Sequence, residues 1–170
     1  MTEGSTSANG AEAQTTNGAS APAVLGEMIW LYSMSKMHRT WPIASLQQWL
    51  LPAIAHKQYR LYHSGGKPVG LVTWAWLSKE VETEYVRNTT SLQPKDWKSG
   101  DRGWVLDFVA PFGDAKRIVH DLKHNVFPND VGRFLRVRDG DDTMRIMYVH
   151  GAKALEKAQD WERNPTVELT

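Results

Sequence analysis

Cysteine is absent from this chain. That absence excludes a disulfide framework, a thiolate nucleophile, an acyl-thioester held on the protein itself and any cysteine-ligated zinc. Net charge is almost absent too, since 20 lysines and arginines stand against 19 aspartates and glutamates for a formal charge of +1. A chain so balanced lacks the whole-molecule field that draws in nucleic acid or an anionic membrane, so electrostatic recognition has to come from local patches. No apolar run approaches the roughly 20 residues that cross a bilayer, which leaves no transmembrane segment. The N-terminus has neither the basic start nor the apolar middle of a secretion signal. Residues 1–22 are instead dominated by Thr, Ser, Asn, Gly and Ala, bury too little surface to offset their ordering entropy, and read as a disordered tail. A reducing, cytoplasmic setting suits all of these features.

What is present suffices for one hydrophobic core and strains to build two. We expect a single α/β (α+β) domain over residues 23–152, a mixed central sheet flanked by helices, with 153–170 a short C-terminal helix or tail. Val24, Leu25, Met28, Ile29 and Tyr32 recur at three- and four-residue spacing and predict a helix over 23–37. Pro42 disfavours helical backbone at Trp41, so the helix breaks close to His38. Ile43, Leu46, Trp49 and Leu50 suit a second short helix. Gly65-Gly66 between two strand-like runs, 59–63 and 68–76, predicts a tight hairpin that sets Trp74 and Trp76 on one face. Residues 81–87 read as a third strand, followed by a polar loop. Trp104 to Ala110, apolar except for Asp107, reads as a central strand buried on both faces. Asp114 is placed to cap a helix to about Phe127 with a stripe of Ile118, Val119, Leu122 and Val126. Val131–Arg138 and Thr143–His150 read as a second hairpin around 139–142.

Asp107 stands out chemically, because an ionised carboxylate in an apolar strand is costly unless a cation or donor meets it. The partner is either an arginine, Arg102 or Arg39, in a structural ion pair, or an imidazole whose tautomer the carboxylate sets. His38 is the best imidazole candidate: it sits at the helix break, and Ser35 precedes it by three residues, a spacing that puts both on one face if the helix runs on. His120 and His124 have a spacing compatible with one metal ion but lack a third ligand and read as a solvated helix face. Arg133, Arg136 and Arg138, with Lys116, Arg117 and Lys123, read as solvated surface or as a dock for an acidic protein. Eight tryptophans are many for this length. Their default role is packing, although Trp74, Trp76 and Trp104 suit the wall of a groove for an acyl chain.

Several segments together carry a resemblance: Leu25-Gly26-x-x-x-Trp30-Leu31, His38-Arg39-x-Trp41-Pro42, Leu51-Pro52-Ala53-Ile54 with Gln58-Tyr59, Trp74-Ala75-x-Leu77-Ser78, and Gly100-Asp101-Arg102-x-Trp104-x-x-Asp107-x-x-Ala110-Pro111-Phe112-Gly113. From about Leu25 to Gly151 the chain resembles the RTX toxin-activating lysine acyltransferases, bacterial enzymes that place fatty acyl groups on internal lysines of RTX protoxins. The resemblance implies a sheet splayed at its centre, similar to the Gcn5-related N-acetyltransferase fold. It implies His38 and Asp107 as a catalytic pair, Ser35 as a third catalytic residue with both prior acylation of Ser35 and direct attack by lysine open, and no tightly bound cofactor. It also implies acyl-acyl carrier protein as donor, an RTX protoxin as acceptor and a homodimer as a further partner to test. In acyl-CoA-dependent relatives a glycine-rich loop cradles diphosphate; the matching Ala110-Pro111-Phe112-Gly113-Asp114 loses a donor at proline and adds a carboxylate, which disfavours CoA. A non-catalytic module of the same fold that only binds carrier protein or toxin, and an acyl-CoA-dependent N-acetyltransferase, remain the alternatives.

Overall fold

A computed structural model describes residues 19–137 and 144–163. The predicted tail thus lies outside the described residues except at its end, as do the 138–143 turn and residues 164–170. Five strands form one mixed sheet in the order β1-β2-β3-β4-β5: β1 (Tyr59–Ser64), β2 (Lys67–Leu77), β3 (Arg102–Val109), β4 (Val131–Val137) and β5 (Met144–His150). All neighbouring pairs are antiparallel except β3 and β4, which are parallel and joined by a helical crossover. The chain therefore forms a single mixed α/β domain, with β3 in the middle of its sheet.

The β1–β2 hairpin turns at Gly65 and Gly66, both at positive φ (55° and 75°), where an L side chain would be strained. On one face of the sheet lie α1 (Ala21–Met34), two short helices α2 (Leu46–Trp49) and α3 (Leu51–His56), and α4 (Lys79–Arg87). Leu71, Ala75 and Leu77 of β2 pack toward them, with Met28, Leu31, Leu50, Trp97 and Trp104 at the centre of that core. On the other face, α5 (Ala115–Asp121) runs on through a π-helical turn, Leu122–Val126, and covers Val72 and Trp74 with Ile118 and Leu122. A last helix, α6 (Leu155–Arg163), follows β5.

Five expectations about the helices are corrected. α1 stops at Met34, not 37, because Ser35 leaves the helical region for extended backbone (φ −86°, ψ 127°). Residues 81–87 are helix, not strand: the Ser78 hydroxyl accepts the Val81 N–H as an N-cap, and Glu82, Tyr85 and Val86 are buried at helical spacing. Asp114 holds the N-cap position of α5 without a capping bond, its carboxylate being engaged by Arg117 at 2.9 Å. Val119 is exposed instead of joining the buried stripe of α5, and Ile29 is exposed instead of joining that of α1, where Leu31 is buried.

Parallel pairing of β3 with β4 covers only Gly103–Gly132 and Trp104–Arg133. Beyond Trp104 the two strands separate, and a cavity of about 590 Å³ opens in the gap. This corrects the expectation that β3 is buried on both faces, since Phe108 is exposed and Val105, Leu106 and Phe108 line the opening.

Candidate functional site

His38 lies in the turn that follows the break of α1, a turn closed by the Arg39 N–H to the Ser35 carbonyl (3.1 Å) and by the Trp41 N–H to the His38 carbonyl (2.9 Å). The turn, not a continued helix, brings Ser35 and His38 together: Ser35 Oγ stands 2.8 Å from His38 Nδ1. The imidazole stacks on the Tyr32 ring (centroids 4.4 Å apart, 26° between planes) and tilts against Trp41 (4.7 Å). It is 2% exposed.

Asp107 reaches the same place through an irregularity in β3. Thr73 pairs with Asp107 but Trp74 pairs with Val105, so the register slips by one and β3 carries an extra residue, Leu106. Strict alternation from Trp104 would send the Asp107 side chain toward α5. The bulge turns it to the α1 face, the re-aiming that bulges perform beside functional sites. There Asp107 Oδ1 lies 3.1 Å from His38 Nε2, and the Tyr32 hydroxyl donates to Oδ2 at 2.5 Å. Thr73 accepts the Asp107 N–H at 3.2 Å and holds its hydroxyl 3.5 Å from Oδ2.

All three residues singled out in the sequence thus meet in one line, Ser35–His38–Asp107. Neither Arg102 nor Arg39 is the partner of Asp107; Arg102 pairs with Glu82 at 2.7 Å. An ionised carboxylate only accepts, so Nε2 carries the ring proton, the Nδ1 lone pair faces outward, and the Ser35 hydroxyl donates to it. The line can take a proton at Nδ1 and stabilise the resulting imidazolium at Nε2. Ser35 is half-buried, so the accepting end of the line is nearer solvent than the carboxylate. Burial, then the charge of Asp107, then its hydrogen bond push the Tyr32 hydroxyl well above the ordinary phenol pKa. Burial and the same charge also push Tyr85 up.

Asp107 and Met37 also line the cavity between β3 and β4. The walls are largely apolar: Trp74, Trp76, Trp104, Phe127, Leu135 and Tyr148. Phe127 meets both Trp74 and Trp76 edge to face (5.0 and 6.2 Å). The volume lies within the range of about 300–1,000 Å³ usual for ligand pockets.

The remaining candidates lie elsewhere. His120 and His124 are exposed, their rings stacked 4.0 Å apart, with His124 Nδ1 donating to the His120 carbonyl at 2.8 Å. Among the described residues no cluster of three metal-ligating side chains occurs. Arg133 is fully buried, contrary to its reading as solvated surface, and pairs with Glu82 at 3.1 Å; burial lowers its pKa. Arg136 is exposed, and Arg138 lies outside the described residues. Tyr32, Thr73 and Glu82 were not singled out in the sequence as site or network residues. Tyr32 looked like one more stripe residue, and its place three before Ser35 and six before His38 was the available signal.

Residues 17–150 match the family described as the RTX toxin acyltransferase family. The chain is 39% identical to the RTX-II toxin-activating lysine-acyltransferase ApxIIC of Actinobacillus pleuropneumoniae, over 81% of this chain and 86% of that protein. It is 40% identical to the RTX-I toxin-activating lysine-acyltransferase ApxIC of the same organism, over 79% and 77%. The protein-lysine myristoyltransferase HlyC of Escherichia coli is 38% identical over 76% of each chain. No helix among the described residues is long and apolar enough to cross a membrane.

Proposed function

The chain belongs to the RTX toxin acyltransferase family and is an acyltransferase, and from that premise we propose that it transfers a fatty acyl group from acyl-acyl carrier protein to internal lysines of an RTX protoxin, with His38 as general base held by Asp107. The observation that supports this most is the buried His38–Asp107 contact at 3.1 Å, placed where Asp107 borders an apolar cleft.

The chemistry demands such a base. With an ordinary pKa of about 10.4, a lysine ε-amine near pH 7 is almost entirely protonated and cannot attack a thioester. Once the ammonium has given one proton to solvent, the neutral amine attacks the acyl carbonyl, a second N–H proton moves to His38 Nδ1, and Asp107 at Nε2 balances the imidazolium. The tetrahedral oxyanion faces the open edge of β3 past Trp104, where the pairing with β4 has ended and main-chain N–H groups can receive it. Collapse breaks the carbon–sulfur bond. The departing pantetheine thiolate takes the proton back from Nδ1, leaving an amide on the protein and a free thiol on the carrier. No acyl-enzyme is needed for this balance; Ser35 guards the accepting nitrogen until the amine displaces it.

The aromatic cleft takes the acyl chain, with Trp74, Trp76 and Trp104 as its wall. Donor and protoxin meet in the cytoplasm. Incubation with acyl-acyl carrier protein and a matched RTX protoxin, followed by mass spectrometry, is expected to show acyl-lysine with the wild type and none above background with His38→Ala. Stable binding of both partners without modification would leave the non-catalytic reading in its place.

A further inference from the structure

Tyr32 touches both halves of the pair. Its ring stacks on the imidazole and its hydroxyl caps the carboxylate oxygen that His38 does not use. A buried phenol needs an acceptor somewhere, and a merely structural tyrosine would be satisfied by any carbonyl. Here the acceptor is the one carboxylate on which the histidine depends. Resting on the general-base reading above, we infer that Tyr32 is a positioning residue that makes Nδ1 the basic nitrogen of His38.

With Oδ2 occupied by the phenol, only Oδ1 is open to the ring, and the carboxylate plane cannot rotate. Thr73, the other donor to Oδ2, sits at 3.5 Å and is too long to take over that duty. The stacked ring sets the imidazole plane, so Nε2 stays on Oδ1 and Nδ1 stays aimed at Ser35. Trp41 tilts against the imidazole at 4.7 Å and meets the Tyr32 ring edge to face at 5.9 Å, so the three rings pack as one cluster. The π face of Tyr32 also favours the imidazolium that forms during transfer.

Tyr32→Phe keeps the ring and removes the hydroxyl. It is expected to lower kcat on the order of 10-fold, the worth of one hydrogen bond to a charged group, with KM for acyl-acyl carrier protein and for protoxin unchanged. Tyr32→Leu removes both contacts and is expected to cost more. Tyr85→Phe is the control, because Tyr85 is buried and feels the charge of Asp107 without touching the pair; its kcat is expected to stay at the wild-type level. In the wild type, 15N spectra of the His38 ring are expected to show a protonated Nε2 and an unprotonated Nδ1, and Tyr32→Phe should mix the two tautomers. A wild-type ring protonated on Nδ1, a Tyr32→Phe enzyme with full kcat, or equal losses in Tyr32→Phe and Tyr85→Phe would overturn the inference. Full activity in His38→Ala would remove the base itself, which separates failure of the mechanism from failure of the tyrosine.

Discussion

The central strand buries an acid near each of its ends, and the two are met in opposite ways. Near Trp104, Glu82 from α4 reaches in with no exposure and is enclosed by Arg102 (2.7 Å), the Trp104 indole (2.8 Å) and Arg133 (3.1 Å). At the other end Asp107 is met by an imidazole, a phenol and a threonine. Guanidinium groups keep their protons at any working pH, so the first acid is locked in a permanent ion network. It clasps β3 to β4 where they pair, at Trp104–Arg133, and thereby marks the closed end of the split. The second acid faces a partner that can gain and lose a proton. The same kind of side chain thus builds a clasp in one place and a contact with a titratable ring about three residues further along, and the identity of its donors makes the difference.

Exchanging a side chain at either end tests that contrast. Of the changes at the two acids, the larger loss of activity is expected from Asp107→Asn, which replaces an acceptor by an amide that cannot hold the tautomer or balance imidazolium; turnover should fall by about 10²–10⁴, while thermal unfolding shows the fold intact. Glu82→Ala is expected to act on stability first. Removing the carboxylate that the buried Arg133 and the partly buried Arg102 share costs on the order of 3–5 kcal/mol in urea unfolding, far more than any activity change in the fraction that remains folded. A Glu82 variant as stable as the wild type would deny the clasp its role. Ser35→Ala is expected to leave the enzyme working within roughly 10-fold of wild type, since one hydrogen bond to Nδ1 is lost and no covalent step. Loss of activity as deep as that of Asp107→Asn would instead make Ser35 a nucleophile.

The smallest effect expected is one of alkaline pH. Tyr32, Tyr62 and Tyr85 all have pKa values pushed above the usual 10.0, chiefly by burial, so the folded state keeps their protons when the unfolded chain begins to lose them. The stability they contribute is complete below about pH 10 and declines as pH rises past it, by up to about 1.4 kcal/mol per unit for each tyrosine. Urea midpoints of the wild type and Tyr85→Phe, compared at about pH 8 and 11, should show the shallower decline in the variant. Parallel declines would contradict this assignment.

Much of this was legible in the chain. The Gly65-Gly66 turn, the strand around Asp107 and the α1 stripe of Val24, Met28 and Tyr32 follow from spacing and turn chemistry, while the meeting of His38 with Asp107 was open on the residues alone and implied only by the resemblance to the family. Residues 81–87 were not, because Val81, Thr83 and Tyr85 alternate as a strand would, while the Ser78 cap and the buried face of Glu82, Tyr85 and Val86 impose helix. Neither was Val119 of α5: apolar side chains at helical spacing pack only where something faces them, and here the split between β3 and β4 leaves a cleft.

By itself the sequence determined which side chains could do proton chemistry and roughly where the chain would turn, because side-chain identity and local backbone preference are properties of neighbouring residues. Only the tertiary structure decided that a one-residue slip at Leu106 swings Asp107 onto the face of α1, that Tyr32 holds both members of the pair, and that Glu82 pins the sheet where it divides. Those outcomes depend on register between strands and on contacts across 20 to 75 positions, and no local pattern encodes either.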